Sequence, residues 1–199
     1  TSTEMLRRQF GLPDHRPTLL FFGFVRPYKG LEYLIQALPL VRQHLDVHLL
    51  VVGEFWTSPY FYQHYAQEFG VEDAITFVNQ YVPNEELQLF FDLADVVVLP
   101  YISATQSAVV QLAFGFGKPV ITTRVGGLHE VVQDGVNGLI VPPQDEVALA
   151  EAIVRYFSDE MVHVLSRHIN QGSAGGDKQS FSWQKLVASI EQAVGMVSS

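Results

Sequence analysis

Arg26 and Lys29 stand between two glycines in the stretch FGFVRPYKG, residues 22–30. The run TLLFF at 18–22 ends at Gly23, and a strand that stops at a glycine and turns presents the following side chains over its end. Arginine supplies a planar fork of donors and lysine a compact point charge, a pairing that suits a diphosphate. A solvated loop that aids solubility is the other reading of the same two cations. The stretch is neither a dinucleotide fingerprint, since GxGxxG does not occur in it, nor a P-loop, so a nicotinamide site is disfavoured.

A second stretch with chemical capacity is PYISATQSA at 100–108. Its small residues Ser103, Ala104, Thr105, Ser107 and Ala108 let a phosphate approach the backbone, and a helix expected to begin near 106 offers unpaired N–H groups. An ordinary N-cap by Ser103, Thr105 or Ser107 explains the same residues without a ligand. A third stretch, TRVGGLHEVVQDGVNGLIVP at 123–142, carries Gly126 and Gly127 between a strand and a short helix. There glycine serves either backbone geometry or the close approach of a ligand. Gly135 and Gly138 read as a turn into the next strand. The 7 histidines show no HxxxH or HExxH spacing, so no metal site is expected. His129 beside Glu130 reads either as a catalytic pair or, as is usual for an acid at a helix start, as compensation of the dipole. No GxSxG elbow occurs.

Positioning these loops requires a scaffold, and the hydrophobic pattern supplies one. Near-continuous apolar runs at 18–23, 47–53, 74–79, 95–100, 119–123 and 138–142 read as strands buried on both faces. Between them, Leu31, Leu34, Ile35, Leu38 and Val41 recur at helical spacing, with Pro39 set to bend or shorten that helix. Leu87, Phe90, Phe91 and Ala94 repeat the pattern after Pro83, with Asn84 as the expected cap. Val109, Leu112, Ala113 and Phe116 form a third stripe and Val147, Ala150, Ile153, Val154 and Phe157 a fourth, while 57–69 is an aromatic-rich helical segment. The order predicts an α/β fold: a doubly wound, Rossmann-like parallel sheet of about six strands, helices on both faces, and a C-terminal helical tail over 158–199 anchored by Trp183. Ligands of such folds sit beyond the carboxyl ends of the strands, where all three stretches fall.

Bulk composition narrows the class. A chain of 199 residues, 48% hydrophobic and 17% charged, has the length and apolar content for a proper core. Its net charge of −9 argues against nucleic acid, and no apolar run approaches the roughly 20 residues of a membrane helix. The absence of cysteine excludes disulfides and thiolate chemistry and fits a cytoplasmic location. The opening TSTEMLRRQFG has no apolar core and no initial Met, which reads as a cut inside a longer chain.

In this order, GFVRPYKGLEYLIQAL, LLVVGE, ITFVNQYVPNEELQLFFDLADVVVLPY, GFGKPVITTRVGGLHEVVQDGVNGLIVPP and FSW resemble the carboxyl-terminal half of a family-4 (group 1) retaining glycosyltransferase of GT-B architecture, over roughly residues 5–197. The resemblance implies that 1–199 is a single nucleotide-sugar (donor) binding domain, one part of a two-domain enzyme whose missing amino-terminal domain binds the acceptor. It implies an Arg/Lys pair, here Arg26 and Lys29, on the donor diphosphate. Lys29 matches directly, whereas the family arginine follows the glycine at once and Phe24 holds that place. The base would be read by backbone groups of Tyr81 and Val82, and Gly23, Gly126 and Gly127 would line the donor. The family carries two glutamates eight residues apart, one on the donor sugar and one on the ribose. Their positions here are Ala104 and Leu112. Thr105, Gln106, Ser107, Ala108 and Gln111 lie nearby, and Gln111 is about 100 degrees around a helix from the second position. A subgroup carries such a polar ATQS-type turn.

The expected function is transfer of a sugar from a nucleoside diphosphate sugar to an acceptor with retention, without cofactor or metal. The fragment alone should be inactive, because half of the cleft is missing. The donor is the expected partner, and any membrane-surface association would run through the missing half. Two alternatives stay open: a non-catalytic nucleotide-binding or scaffold module, favoured by the absent glutamates, and half of a sugar-nucleotide epimerase or phosphorylase.

Overall fold

The computed structural model describes residues 2–158 together with Met161, Val162, Val164, Leu165 and Ile169. Apart from those positions, the expected tail at 158–199, with Trp183 and the FSW at 181–183, lies outside the described residues. Six strands form: β1 (Thr18–Phe22), β2 (His48–Val52), β3 (Ile75–Val78), β4 (Val96–Leu99), β5 (Val120–Thr123) and β6 (Gly138–Val141). Seven α-helices accompany them among the described residues: α1 (Ser2–Gln9), α2 (Leu31–Val41), α3 (Pro59–Glu68), α4 (Leu87–Leu93), α5 (Ala108–Gly115), α6 (Leu128–Val131) and α7 (Glu146–Tyr156).

All pairings are parallel, in the order β3-β2-β1-β4-β5-β6. The chain winds outward from β1 to β3, then returns to lay β4 against β1. That reversal is the topological switch point, where neighbouring loops diverge and leave a crevice. The strands are apolar throughout because the pleat sends alternate residues into two cores. Leu19 and Phe21 join Leu49, Val51, Val96 and Val98 beneath α2, α3 and α7. Leu20 and Phe22 join Leu50, Val52, Val97 and Leu99 beneath α4 and α5.

Four local expectations need correction or addition. Asn84 does not cap α4: Pro83 is the extended residue that starts a one-turn 3-10 segment at 84–86, and Asn84 falls inside it with no capping bond. Pro39 does not cut α2 short, which runs on to Val41. α1 is absent from the expected elements; it is largely polar and packs through Leu6 and Phe10, the latter with its ring 5.3 Å from that of Phe90. Asp145 caps α7, accepting from the Ala148 amide at 2.8 Å.

At the amino ends of the central strands, Asp95 holds the switch point shut. Its carboxylate accepts from the Thr18 amide at 2.7 Å and its own amide donates to the Thr18 carbonyl at 2.9 Å. The Tyr156 hydroxyl of α7 donates to the Asp95 carbonyl at 2.8 Å. Removing the carboxylate in Asp95→Ala should lower the unfolding free energy by about 1.5–3 kcal/mol, the range of a hydrogen bond to a charged group. Urea unfolding followed by circular dichroism would read that loss.

Candidate functional site

β1 and β2 keep their contact beyond their last residues. Val25 pairs with Phe55 in an isolated parallel bridge, with the Val25 amide donating to the Glu54 carbonyl at 2.9 Å and the Trp56 amide to the Val25 carbonyl at 3.1 Å. The chain then makes a 3-10 turn over Pro27–Lys29, ending at Gly30. On its other side the turn is tied to the loop after β4, because the Ile102 amide donates to the Tyr28 carbonyl at 2.8 Å. The loop that carries both cations is thus fastened to both neighbouring strand ends.

Lys29 is only 8% exposed. Gly23 has φ +116, and a Cβ built on it would stand 3.0 Å from Lys29 Nζ and 3.5 Å from Val109 Cγ2 in the first turn of α5. The Tyr101 ring centroid is 5.4 Å from the same ammonium. Gly23 is required here by its φ of +116, and a Cβ would also press on the ammonium. Burial pushes the Lys29 amine down from its ordinary 10.5 to about 8, and the nearby Arg26 charge pushes the same way. Among the described residues no carboxylate or hydrogen-bond acceptor meets it. Tyr101, fully enclosed, has its hydroxyl's ionisation raised by burial, and its oxygen lies 3.3 Å from Ser107 Oγ.

Arg26 lies over Trp56, with its guanidinium carbon 3.8 Å from the ring centroid, and Phe24 meets the same indole edge-on at 5.4 Å between centroids. Arg26 Nε is buried without a hydrogen-bond partner. The Arg26 charge lies near enough to lower the Lys29 amine further.

The start of α5 is later than expected. The helix begins at Ala108 rather than near 106, after Ser107 in an extended conformation (φ −136, ψ 116). Its free amides accordingly belong to Ser107–Val110, a shift from the 105–108 amides that a start near 106 implies. Ser107 makes no side-chain cap, so the ordinary capping account of this serine does not hold; its hydroxyl faces Tyr101 instead. Thr105, Gln106 and Gln111 are exposed, Ala108 is half-buried and Leu112 is buried in the core. The space above Gly126 and Gly127 is filled by the chain itself. A Cβ on Gly126 would fall 1.6 Å from the Ala104 carbonyl oxygen, and the Gly127 amide donates to the Thr105 carbonyl at 2.9 Å. Backbone packing therefore explains the absence of side chains at 126 and 127, and no ligand is needed for it.

Tyr81 is exposed and Val82 buried in the loop after β3. That loop is linked to the loop after β2, where Asn79 Oδ1 accepts from the Phe55 amide at 3.0 Å. The structure thus brings Gly23, Arg26, Lys29, Ser107 and Ala108 to one place, sets Gly126 and Gly127 behind the 104–105 backbone, and leaves Tyr81 and Val82 further along the same edge. Trp56, Tyr101 and Val109 are the residues that sequence reasoning missed. For Trp56 a signal existed, since it falls in a loop directly after a strand.

The sequence model described as Glycosyl transferases group 1 matches residues 16–159. The chain is 33% identical over 196 residues to a D-inositol 3-phosphate glycosyltransferase of Corynebacterium aurimucosum, a match covering 95% of this chain and 45% of that protein. It spans about half the length of the curated relatives it matches. Among solved structures it is similar to Anabaena HepE in complex with UDP-glucose, with a TM-score of 0.78 at 21% identity over 98% of this chain and 52% of that one. It is also similar to the C-terminal domain of a glycosyl transferase group 1 family protein (LpcC) from Francisella tularensis, with a TM-score of 0.70 at 21% identity over 84% of this chain and 90% of that one. At these identities the likeness is one of fold.

The buried ammonium has a stability consequence of definite sign. Its proton is held less tightly in the folded chain than in the unfolded one, so below pH 8 it opposes folding by on the order of 3 kcal/mol. The opposition fades as pH rises from about 8 to 10.5, where the folded chain is deprotonated and the unfolded chain is not. Lys29→Met, which fills the slot without charge, should melt higher than the wild type at pH 7, with a smaller margin at pH 9.5. Thermal unfolding at the two pH values checks both halves.

Proposed function

Since the chain belongs to the group 1 glycosyltransferases, we propose that it is the donor-binding half of an enzyme that moves a sugar from a nucleoside diphosphate sugar to an acceptor with retention. The observation that carries this reading is the Lys29 ammonium, enclosed without a counter-charge beside Arg26 and the first turn of α5. When the anomeric carbon–oxygen bond breaks, the electron pair leaves with the nucleoside diphosphate. Charge then grows on the oxygen of the distal phosphate. In this reading Lys29, Arg26 and the amides of Ser107–Val110 neutralise it, which is electrostatic stabilisation by preorganised groups. With two cations in the chain itself, the proposal assigns no step to a metal.

The UDP-glucose complex of HepE and the isolated C-terminal domain from Francisella tularensis support the donor-domain role through their shared fold. In this reading Tyr81 and Val82 meet the base through their backbone, while Thr105, Gln106 and Gln111 face the sugar and ribose in place of carboxylates. The acceptor side would be supplied by an amino-terminal domain, and the relatives' greater length is in keeping with that. A nucleotide-binding module without catalysis is the second reading, favoured by Ala104 and by the burial of Leu112 in the core.

Isothermal titration with UDP and GDP at pH 7 tests the proposal. Binding is expected, with Lys29→Ala weakening it by roughly tenfold or more, the worth of one charge-assisted contact. Above pH 8 the free protein sheds the Lys29 proton that the complex needs, so affinity should fall by up to about tenfold per pH unit. The absence of binding for both nucleotides at millimolar concentration would overturn the donor role.

A further inference from the structure

Arg26 is displaced by two positions from the place next to Gly23 where the resemblance puts a cation, and a long side chain set further along a loop has more ways to miss its target. The structure shows what restrains it. The Val25–Phe55 bridge continues the β1–β2 register past the strand ends, so the next residues of the two loops, Arg26 and Trp56, come side by side. The guanidinium carbon lies 3.8 Å from the indole centroid, and Phe24 meets the same indole edge-on. Trp56 is 52% exposed, so it is no core residue holding the fold together. Arg26 Nε is buried and has no partner, so this donor has lost its water and gained nothing in return.

We propose that Trp56 is a positioning residue: it stacks on Arg26 and fixes the guanidinium plane so that the fork meets the diphosphate edge-on beside Lys29. This rests on the donor-binding reading above. A guanidinium with one face on an indole keeps its charge and its in-plane donors while losing rotational freedom, which lowers the ordering cost of a bidentate contact. The indole contributes no hydrogen bond to the phosphates in this account, and its whole effect passes through Arg26.

A double-mutant cycle reads that dependence. UDP is titrated calorimetrically into the wild type, Trp56→Leu, Trp56→Phe, Arg26→Ala and the Trp56→Leu/Arg26→Ala pair. Trp56→Leu should weaken UDP binding about fivefold, the scale of a partly exposed cation–π contact. Trp56→Phe should recover most of it, and the second substitution should change nothing once Arg26 is gone. Thermal unfolding should show each single variant folded. A second readout needs no ligand: the Arg26 side-chain Nε–H proton should be shifted upfield by the indole ring in the free wild type and should return to its ordinary position in Trp56→Leu. Wild-type binding with losses that add in the pair, or no upfield shift, overturns the positioning role and leaves the donor reading intact. No UDP binding by the wild type overturns the donor reading and this inference with it.

Discussion

An ammonium group largely withdrawn from water and given no carboxylate in return will leave its pocket or give up its proton unless the chain around it is held from several sides. Lys29 is in that position, with Gly23, the Tyr101 ring and the first turn of α5 as its walls. Gly23 follows β1, and both Tyr101 and α5 follow its neighbour β4. The carrier turn is fastened to the loop after β4 through Ile102 and Tyr28, and to the loop after β2 through Val25 and Glu54. In the proposed reading a bound diphosphate would offset part of the stability lost by burying the charge.

The sheet makes this possible by where it reverses. Because β4 returns to the side of β1, the loops that follow these two strands leave the sheet next to one another and can share a ligand between them. Asp95 closes the opposite ends of the same pair. The loops at the open edge are then cross-linked by backbone bonds and by Asn79, whose side chain reaches from the loop after β3 to the Phe55 amide. Such ties convert loops into a rigid rim, so the side chains on it can be argued from geometry rather than from sequence spacing alone.

What could be read without coordinates follows from the physics of burial. All six strands were legible because a parallel strand covered on both faces must be apolar at every position, and little else produces that pattern. The Arg26–Lys29 loop was legible because two cations in an acidic chain, directly after a strand, need an explanation. The start of α5 was misread because Thr105 and Ser107 are good capping residues by type, and nothing in the sequence says that Ser107 will turn its hydroxyl to Tyr101 instead. Gly126 and Gly127 look the same in sequence whether a ligand or the Ala104 carbonyl fills the space above them. Trp56 was missed because its partner is 30 residues away, and only the register between two strand ends brings them together.

The replacement of the two family carboxylates bears on the same charge balance. At 104 and 112 the chain places alanine and leucine, and Leu112 is drawn into the core beneath α5. A carboxylate on the rim would offset part of the positive potential that Arg26 and Lys29 create, and would compete with a diphosphate for them. Without it, those cations meet no opposing charge among the described residues, and neutral groups such as Thr105, Gln106 and Gln111 are left to face any sugar. In the proposed reading this exchanges hydrogen bonds to sugar hydroxyls from a charged acceptor for a stronger hold on the phosphates. The orientation of the sugar would then depend more on shape and on the absent half of the cleft than on charge within this domain.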